Sequence, residues 1–242
     1  MDNAIYVSLA RQITLFRDMD VTAQNIANSD TSGYSGEHIL FDSYLANDNN
    51  NGYQNKYAFP TDLDIYRNTE NGALKATGNE MDFAIQGNGY FTVETPLGKR
   101  YTRSGNFQVS GTGVITTPEG YAVLDATGRE LTLPEGTTKV EVGEAGNIKV
   151  NGDDYGIFGI VQFDNPKLLE RISGKLFKSD IVGQPATNIR VNQGMLEASN
   201  VQPVMELTHM TTLNHAIADT ATLIAVAEDL ARKASNAWAQ QS

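Results

Sequence analysis

The segment "TAQNIANSDTSGYSGE", residues 22–37, separates a region of helical periodicity from a polar, asparagine-rich region. Its first part continues an apolar pattern that ends at Ile26. The run "NSDTSG" then collects residues that favour turns, and Gly33 supplies the backbone freedom that a tight bend needs. We therefore predict that the chain leaves a helix here. The side-chain amides of Asn25 and Asn28 should bond to backbone groups at the end of that helix.

The residues before this bend predict an N-terminal helix over residues 1–29. Neither Gly nor Pro occurs before Gly33 to interrupt it. Its apolar residues recur at alternating spacings of four and three, which is the heptad pattern of a helix that packs along a partner helix. This stripe consists of Ile5, Leu9, Gln12, Phe16, Met19, Ala23 and Ile26, with Gln12 as its polar interruption.

A second long helix is predicted at the other end of the chain, over residues 196–242. Ser199 is the expected N-cap, with Gln202 three residues later and Pro203 in the first turn. No Gly or Pro follows Pro203, and the four-and-three spacing returns. This second stripe consists of Met210, Leu213, Ile217, Thr220, Ile224, Ala227, Ala231, Ala234 and Trp238.

Between the two helices the apolar period changes to two. Short runs such as "YFTVE", "RYTRSG" and "GVITT" are separated by Gly, Pro, Asn or Asp at intervals of roughly ten residues. This pattern predicts an antiparallel β-rich domain over residues 79–195, with "NGDD" as a hairpin turn. Residues 30–78 are predicted to form a connecting turn and an extended arm. The fold class is therefore α+β, a β-rich domain flanked by two coiled-coil-type helices.

Two arrangements of the terminal helices are compatible with these patterns. The helices could pack on each other as a hairpin within one chain, or they could pack with copies from neighbouring molecules. We favour the second arrangement, because two long stripes so far apart in the sequence suit a shell of packed helices, and isolated helices are marginal in water. In that arrangement Tyr34 is expected to anchor the bend against a neighbouring molecule.

The composition argues against several classes of protein. A formal net charge of −11, without a run of Lys or Arg, is unfavourable for nucleic-acid binding. The chain has no cysteine, which excludes disulfides, thiolate zinc sites and cysteine nucleophiles. No apolar stretch reaches the roughly 20 residues that a membrane span needs. The N-terminal residues also lack the basic start of a cleaved signal peptide.

No catalytic, cofactor-binding or metal-binding site is predicted. The histidines His38, His209 and His215 are scattered, and six residues on a helix place the last two about 120° apart. The "GNGYF" run lacks the third glycine of a dinucleotide-binding loop and precedes a strand. A β-domain hydrolase or cell-wall-binding protein would need a convergent polar site that the sequence does not contain. A regulatory coiled-coil protein would not explain the long β-rich region.

Three motifs resemble those of the flagellar rod and hook subunits, the axial proteins of the bacterial flagellum. "AQNIANSDTSGY" (residues 23–34) is similar to the family pattern A-N-N-[LI]-A-N-x-x-T-x-G-[FY], although Gln24 replaces the commoner Asn. The block at residues 81–124, with "AIQGNGYF" and "YTRSGNF", and "GMLEASNV" (residues 194–201) resemble two further family blocks. The residues that match the first motif are Asn25, Ile26, Ala27, Asn28, Thr31, Gly33 and Tyr34.

This resemblance implies a structural subunit of the basal-body rod, with no enzymatic activity and no cofactor. The start of the chain and its length are similar to those of proximal rod subunits, and the distal rod subunit is the alternative. The implied partners are its own copies, other rod proteins and the flagellar type III export apparatus. The implied location is the periplasmic rod, reached without a cleaved signal peptide. The expected contact residues between subunits are Ile5, Leu9, Phe16, Met19, Ile26, Leu213, Ile217, Ile224 and Trp238.

Overall fold

The computed structural model describes residues 2–48 and 55–239, with side chains for 6–40, 65–230, 232, 233 and 236. The chain divides into two compact units. The first, here called the helical unit, comprises Met1–Ala27, Glu37–Arg67 and Gln202–Ser242. The second, the β unit, comprises Asn28–Gly36 and Asn68–Val201. Each unit is therefore assembled from segments that are distant in the sequence.

The helical unit contains two long helices, α1 (Asp2–Ala27) and α2 (Pro203–Ala239), and an antiparallel hairpin of β1 (Glu37–Asp48) and β2 (Asn55–Arg67). α1 lies against α2 and against both strands of the hairpin. The hairpin occupies much of the segment predicted as a connecting turn and arm. Neither helix, over the residues described, is long and apolar enough to cross a membrane.

The β unit is built from short antiparallel strands, as the period of two predicts. Its main sheet has the order β14-β15-β6-β5-β9-β8-β7, with β13 pairing with both β5 and β16. A three-stranded sheet β10-β11-β12 and the pairs β17-β4 and β18-β3 complete it. Residues Pro166–Leu168 form a short 3₁₀ helix. The strands are β3 (Leu74–Ala76), β4 (Phe83–Gln86), β5 (Tyr90–Thr95), β6 (Gly98–Thr102), β7 (Gln108–Val109), β8 (Ile115–Thr116), β9 (Ala122–Val123), β10 (Val140–Val142), β11 (Asn147–Val150), β12 (Asp153–Ile157), β13 (Ile160–Gln162), β14 (Glu170–Ser173), β15 (Leu176–Lys178), β16 (Gln184–Pro185), β17 (Arg190–Gln193) and β18 (Met195–Glu197).

Four phenylalanine rings form the centre of the β unit. The ring centroids of Phe83 and Phe158 are 5.1 Å apart, as are those of Phe91 and Phe107. Phe91 also meets Phe158 at 5.5 Å, with the ring planes at 70°. Such edge-on contacts suit the charge distribution of aromatic rings. β-Branched residues of the surrounding strands close this core, so the unit has its own hydrophobic interior.

The "NGDD" turn is confirmed. β11 and β12 pair antiparallel on either side of it, with Val150 opposite Asp153. Asn151 and Gly152 both have positive φ, at 54° and 99°. Two consecutive residues with positive φ are what the type I′ hairpin turn requires, and Asn-Gly is its preferred sequence.

The predicted start of the second helix is wrong. Residues 195–197 form β18, and α2 begins only at Pro203. The Ser199 hydroxyl accepts a hydrogen bond from the N–H of Val201, while the Gln202 carbonyl accepts the first helical bonds from Met205 and Glu206. Proline disfavours helical geometry in the residue before it, so the helix starts at Pro203 rather than near Ser199.

The face that α1 buries within the chain is not the apolar face that the heptad pattern predicts. The residues of α1 that are buried within the chain lie on a stripe that is offset from the apolar one. Thr14 lies two residues before Phe16, which is about 200° around a helix. The buried set is Thr14, Asp18, Val21, Thr22 and Asn25, and four of these five side chains are polar.

The aromatic core provides a test of the β unit. Phe91→Ala would leave a cavity among the four rings, and we expect it to lower the free energy of unfolding by about 3–5 kcal/mol. Leu97→Ala is the matched control, because Leu97 is 77% exposed and its truncation should change that free energy by less than about 0.5 kcal/mol. Urea unfolding followed by circular dichroism measures both variants. Equal shifts for the two would contradict the assigned core.

Candidate functional site: the segments that connect to the helices

The segment that follows α1, residues 28–36, folds as two successive turns within the β unit. The Asn28 carbonyl accepts a hydrogen bond from the Thr31 N–H at 3.1 Å, and the Thr31 hydroxyl donates to the Asn28 side chain at 3.2 Å. The Thr31 carbonyl then accepts from the N–H of Tyr34 at 3.2 Å. Of these bonds, the one between the Thr31 hydroxyl and the Asn28 side chain depends on residue type, so it accounts for the pairing of Asn28 with Thr31 in the motif.

Gly33 is the position where the turn has no space for a side chain. Its φ is +68°, a backbone conformation that L residues rarely adopt. A Cβ atom at Gly33 would lie 2.5 Å from the backbone nitrogen of Ser104. The Gly33 N–H also donates to the Glu197 carbonyl at 2.8 Å. The turn is therefore pressed directly against two other segments of the β unit.

Tyr34 is anchored within its own chain, so the expectation that it contacts a neighbouring molecule is wrong. Its side chain is only 2% exposed. The Arg171 guanidinium lies over the ring, 4.2 Å from its centroid, and also donates to the Ser35 carbonyl. A cation over an aromatic face is favourable, so Arg171 holds Tyr34 in place.

Asn200, three residues before α2, joins the outgoing and incoming segments. Its Oδ1 accepts a hydrogen bond from the Gly36 N–H at 2.8 Å. Its Nδ2 donates to the carbonyls of Asn68 at 3.1 Å and Glu70 at 2.8 Å. One side chain thus ties together the exit from α1, the exit from β2 and the approach to α2.

A buried ion pair of Arg103 and Glu197 forms the centre of this region. The Glu197 Oε2 accepts a hydrogen bond from Arg103 Nε at 2.8 Å and lies 2.7 Å from Nη2, and its Oε1 accepts from the Gly72 N–H at 2.9 Å. The two side chains are only 6% and 7% exposed. Arg103 also donates to the carbonyls of Ile85, Gly87 and Gly89 and to the side chain of Asn71.

Burial of the Glu197 carboxyl has an electrostatic consequence. Removal from water raises the pKa of this carboxyl above its ordinary value, while the charge of Arg103 and the Gly72 hydrogen bond act in the opposite direction. The charge of the Arg103 guanidinium therefore offsets part of the free-energy cost of burying the Glu197 carboxylate. The sequence did not identify this pair, although "YTRSGNF" contains Arg103 and "GMLEASNV" contains Glu197 and Asn200. No sequence signal pointed to Arg171.

Asn25, from the motif at residues 23–34, makes its contacts within the helical unit. The Asn25 side chain is 1% exposed; it accepts from the Glu37 N–H at 3.0 Å and donates to the Glu37 carbonyl at 2.7 Å. The amide does bond to backbone groups, but these belong to the first residue of β1 rather than to the end of α1, where the sequence placed them. Between the two helices, His209 Nε2 lies 3.1 Å from Asp18 Oδ2. Asn25 thus links α1 to β1, while Asp18 links α1 to α2.

The predicted subunit-contact residues occupy contrasting environments in the single chain. On α1, Leu9 and Phe16 are 46% and 44% exposed, and Met19 and Ile26 are half-buried. On α2, Leu213 is buried, and Ile217 and Ile224 are half-buried. Ile5 belongs to α1 and Trp238 to α2, and the side chains of both lie outside the described residues.

The geometry of these segments suits a mechanical role better than a chemical one. Glu197 and Arg103 line a cavity of only about 20 Å³, and both are bonded to each other and to backbone groups, which leaves little room for a ligand. Among the residues that the structure describes, no group of three His, Asp or Glu side chains is arranged as metal ligands. What the arrangement can do is hold the exit from α1 and the entry to α2 in one defined geometry.

Gly33 allows a test with an internal control. Gly33→Ala should destabilise the β unit by clearly more than Gly78→Ala, because Gly78 has a similar φ of +74° but nothing within 4 Å of the position that an added methyl group would take. The control should lose about 1 kcal/mol from backbone strain alone. Urea unfolding of both variants makes the comparison. Similar losses would mean that the contact with Ser104 is not restrictive.

The ion pair allows a test by pH. In Arg103→Met the lowering effect of the guanidinium is lost, so burial raises the pKa of Glu197 further. A carboxyl with a higher pKa in the folded state contributes stability below its ordinary pKa, and that stability is lost as pH rises through the folded pKa. We expect Arg103→Met to cost about 3–5 kcal/mol at neutral pH and less in acid. Urea unfolding over a pH series measures this.

The double variant Arg103→Met with Glu197→Gln is the control for that experiment. It lacks the titrating carboxyl, so it should be more stable than Arg103→Met at neutral pH and should depend less on pH. A double variant that is no more stable than Arg103→Met would contradict this account of the pair.

Three regions of the chain match protein families. Residues 5–34, which include most of α1 and the turns up to Tyr34, match a family described as flagella basal body rod protein. Residues 84–150 match the flagellar hook protein FlgE/F/G D1 domain. Residues 192–237, which include Glu197, Asn200 and most of α2, match the C-terminal family of the flagellar basal body rod FlgEFG proteins.

Similarity to individual proteins extends over nearly the whole chain. The flagellar basal-body rod protein FlgF of Caulobacter vibrioides is 35% identical, over 97% of this chain and 97% of its own. FlgF of Mesorhizobium japonicum is 31% identical, over 93% and 92%. FlgG of Bacillus subtilis is 26% identical, over 98% and 99%. The chain therefore belongs to the flagellar basal-body rod protein family, and it is more similar to these FlgF proteins than to this FlgG protein.

Proposed function

We propose that this chain is a structural subunit of the flagellar basal-body rod, of the FlgF type, which polymerises through its terminal helices and transmits torque from motor to hook. The alternative within the family is a distal rod subunit of the FlgG type. The sequence similarity supports the rod assignment and favours FlgF over FlgG. The proposed role is structural rather than catalytic.

One observation carries this proposal, the apolar stripe that α1 leaves exposed. Tyr6, Leu9, Ile13 and Phe16 are 63%, 46%, 60% and 44% exposed, and their spacings are three, four and three. Meanwhile the residues of α1 that are buried in the chain are mostly polar. An exposed apolar stripe at helical spacing is typical of a protein-protein contact surface. We infer that neighbouring subunits cover it.

α2 adds a second such surface. It has 37 residues against 26 in α1, so at least 11 residues of α2 extend beyond any pairing with α1. That excess is about 16 Å of helix. Towards its C-terminal end Leu223, Val226 and Leu230 are 60%, 52% and 55% exposed. Coiled-coil-type packing with helices of other subunits would bury both stripes.

The remaining parts of the proposal follow from the rod assignment. The partners would be further copies of this chain, other proximal rod subunits and the distal rod protein FlgG. The location would be the periplasmic part of the basal body. Export would use the flagellar type III apparatus without a cleaved signal peptide. Apolar stripes that are buried only on assembly suit a subunit that completes its folding as it joins the polymer.

The helix stripe can be tested by charge substitution. The double variant Leu9→Asp with Phe16→Asp should still fold, with only a modest loss of thermal stability, because the two side chains are already 46% and 44% exposed in the chain. It should be absent from purified hook-basal bodies, and cells that carry it should not swim, because two carboxylates would be buried between subunits. Immunoblots of basal bodies and motility in soft agar provide the measurements.

The control carries the same charges on the β unit. Val109→Asp with Ile157→Asp changes side chains of similar exposure, 44% and 51%. We expect this variant to be incorporated and to support swimming. Normal incorporation of the α1 variant would rule out the α1 stripe as a subunit contact.

A further inference from the structure

Two apolar side chains on the β unit are unusually exposed. Among the large apolar side chains that the structure describes, Val182 at 87% and Leu97 at 77% have the greatest exposure. Single exposed apolar residues are common on protein surfaces. These two differ because one lies at the tip of a rigid hairpin and the other borders a cavity.

The cavity beside Val182, here called the Val182 pocket, has a volume of about 120 Å³. Its lining comprises five apolar residues, Phe163, Leu168, Leu169, Ile181 and Val182, and five polar residues, Gln162, Asp164, Asn165, Ser179 and Gln184. A fully apolar cavity of about 150 Å³ can hold a benzene ring, so the apolar part of this one suits the four carbons of a leucine side chain. Asp164 also lines the pocket and is exposed.

Leu97 lies at the tip of the β5–β6 hairpin, where its position is fixed by the turn. The Thr95 hydroxyl accepts a hydrogen bond from the Leu97 N–H at 3.3 Å and donates to the Gly98 carbonyl at 2.7 Å. Lys99 follows two residues later and is exposed. The tip therefore presents one apolar side chain beside Lys99, with Glu94 opposite Lys99 on the neighbouring strand.

Leu97 does not fill the pocket of its own chain. Phe163, in the pocket lining, meets the ring of Tyr101 at a centroid distance of 4.9 Å. Tyr101 is four residues from Leu97 on an extended strand, a separation of about 13 Å. Leu97 is accordingly not among the residues that line the pocket.

We propose that Leu97 of one copy inserts into the Val182 pocket of the next copy, with Lys99 facing Asp164. The size of the cavity, its apolar lining and the opposite charges of Lys99 and Asp164 argue for a second copy of this chain as the occupant. The two contacting surfaces are different, so the contact is head-to-tail. A head-to-tail contact that does not close into a ring produces a helical polymer.

This inference rests on the proposed function and adds an orienting contact to it. One side chain in a small pocket buries far less than the roughly 1,000 Å² that a stable free interface needs. The contact therefore acts between copies whose helices already hold them in the rod. Its role is to set the orientation of adjacent β units.

Disulfide cross-linking tests the contact, and the absence of native cysteine makes the result unambiguous. Cells that coexpress Leu97→Cys and Val182→Cys single variants should yield, after mild oxidation of purified hook-basal bodies, a dimer of this chain on non-reducing gels. Neither single variant alone should yield it. Leu97→Cys coexpressed with Val109→Cys is the matched control and should give no dimer, although Val109 is 44% exposed.

A charge exchange tests the second half of the contact. In the cross-linking pair, Lys99→Glu should reduce the dimer yield several-fold by placing two acids together, and adding Asp164→Lys should restore it. Assembled basal bodies without the dimer, a cross-link to a different protein, or a yield that is insensitive to charge would each overturn the proposed contact. Absence of the unsubstituted chain from basal bodies would instead contradict the proposed rod function.

Discussion

The geometry around the helix connections depends on the buried guanidinium of Arg103. It bonds to the Glu197 carboxylate, to the Asn71 side chain and to three carbonyls between Ile85 and Gly89. Glu197 in turn holds the Gly72 N–H with its side chain and the Gly33 N–H with its backbone carbonyl. A buried ion pair contributes little net stability, because desolvation offsets attraction, but it tolerates few alternative geometries. Here the restricted geometry of the Arg103–Glu197 pair fixes the segments that lead out of α1 and into α2.

This arrangement suits the force transmission that we propose for the subunit. In the proposed rod, load on the helices would reach the β unit through the connecting segments, which include residues 28–36 and 195–201. Those segments are held by side chains with several hydrogen bonds, such as Asn200, and by a glycine turn without free volume at Gly33. Turns held only by local bonds would bend under load, whereas these are also bonded to strands that are distant in sequence.

The distribution of apolar residues on α1 has a second consequence. Within the chain, α1 buries Thr14, Asp18, Thr22 and Asn25, whose polar groups make specific but weak contacts. The stripe of Tyr6, Leu9, Ile13 and Phe16 is left exposed. Its burial would contribute more hydrophobic free energy than burial of the polar face does. In the proposed rod, the stronger driving force would therefore act between subunits, and the weaker polar contacts would set the register of each helix beforehand. The proposed contact at the Val182 pocket would orient adjacent β units in the same polymer.

Features that depend on neighbouring residues could be read from the sequence alone. The lack of Gly and Pro identified both helices, the period of two identified the antiparallel β unit, and Asn151-Gly152 identified a turn, because each reflects local backbone preference. The seven motif residues from Asn25 to Tyr34 were selected by their resemblance to a family pattern, which a single short segment can carry. The start of α2 was misplaced because the strand β18 competes with the helix for residues 195–197, and its partner β3 lies far away in the sequence.

Other features required the tertiary structure. The apolar stripe of α1 was visible in the sequence, but the choice of which face is buried depends on what packs against the helix. Arg103 and Glu197 are 94 residues apart, and Tyr34 meets an arginine at position 171. A single sequence carries no record of such pairings, since they are set by how strands and turns meet in space. Local backbone preferences thus determined the two helices, the β-rich region and the turn at Asn151-Gly152. Long-range packing determined which side chains these elements bring together.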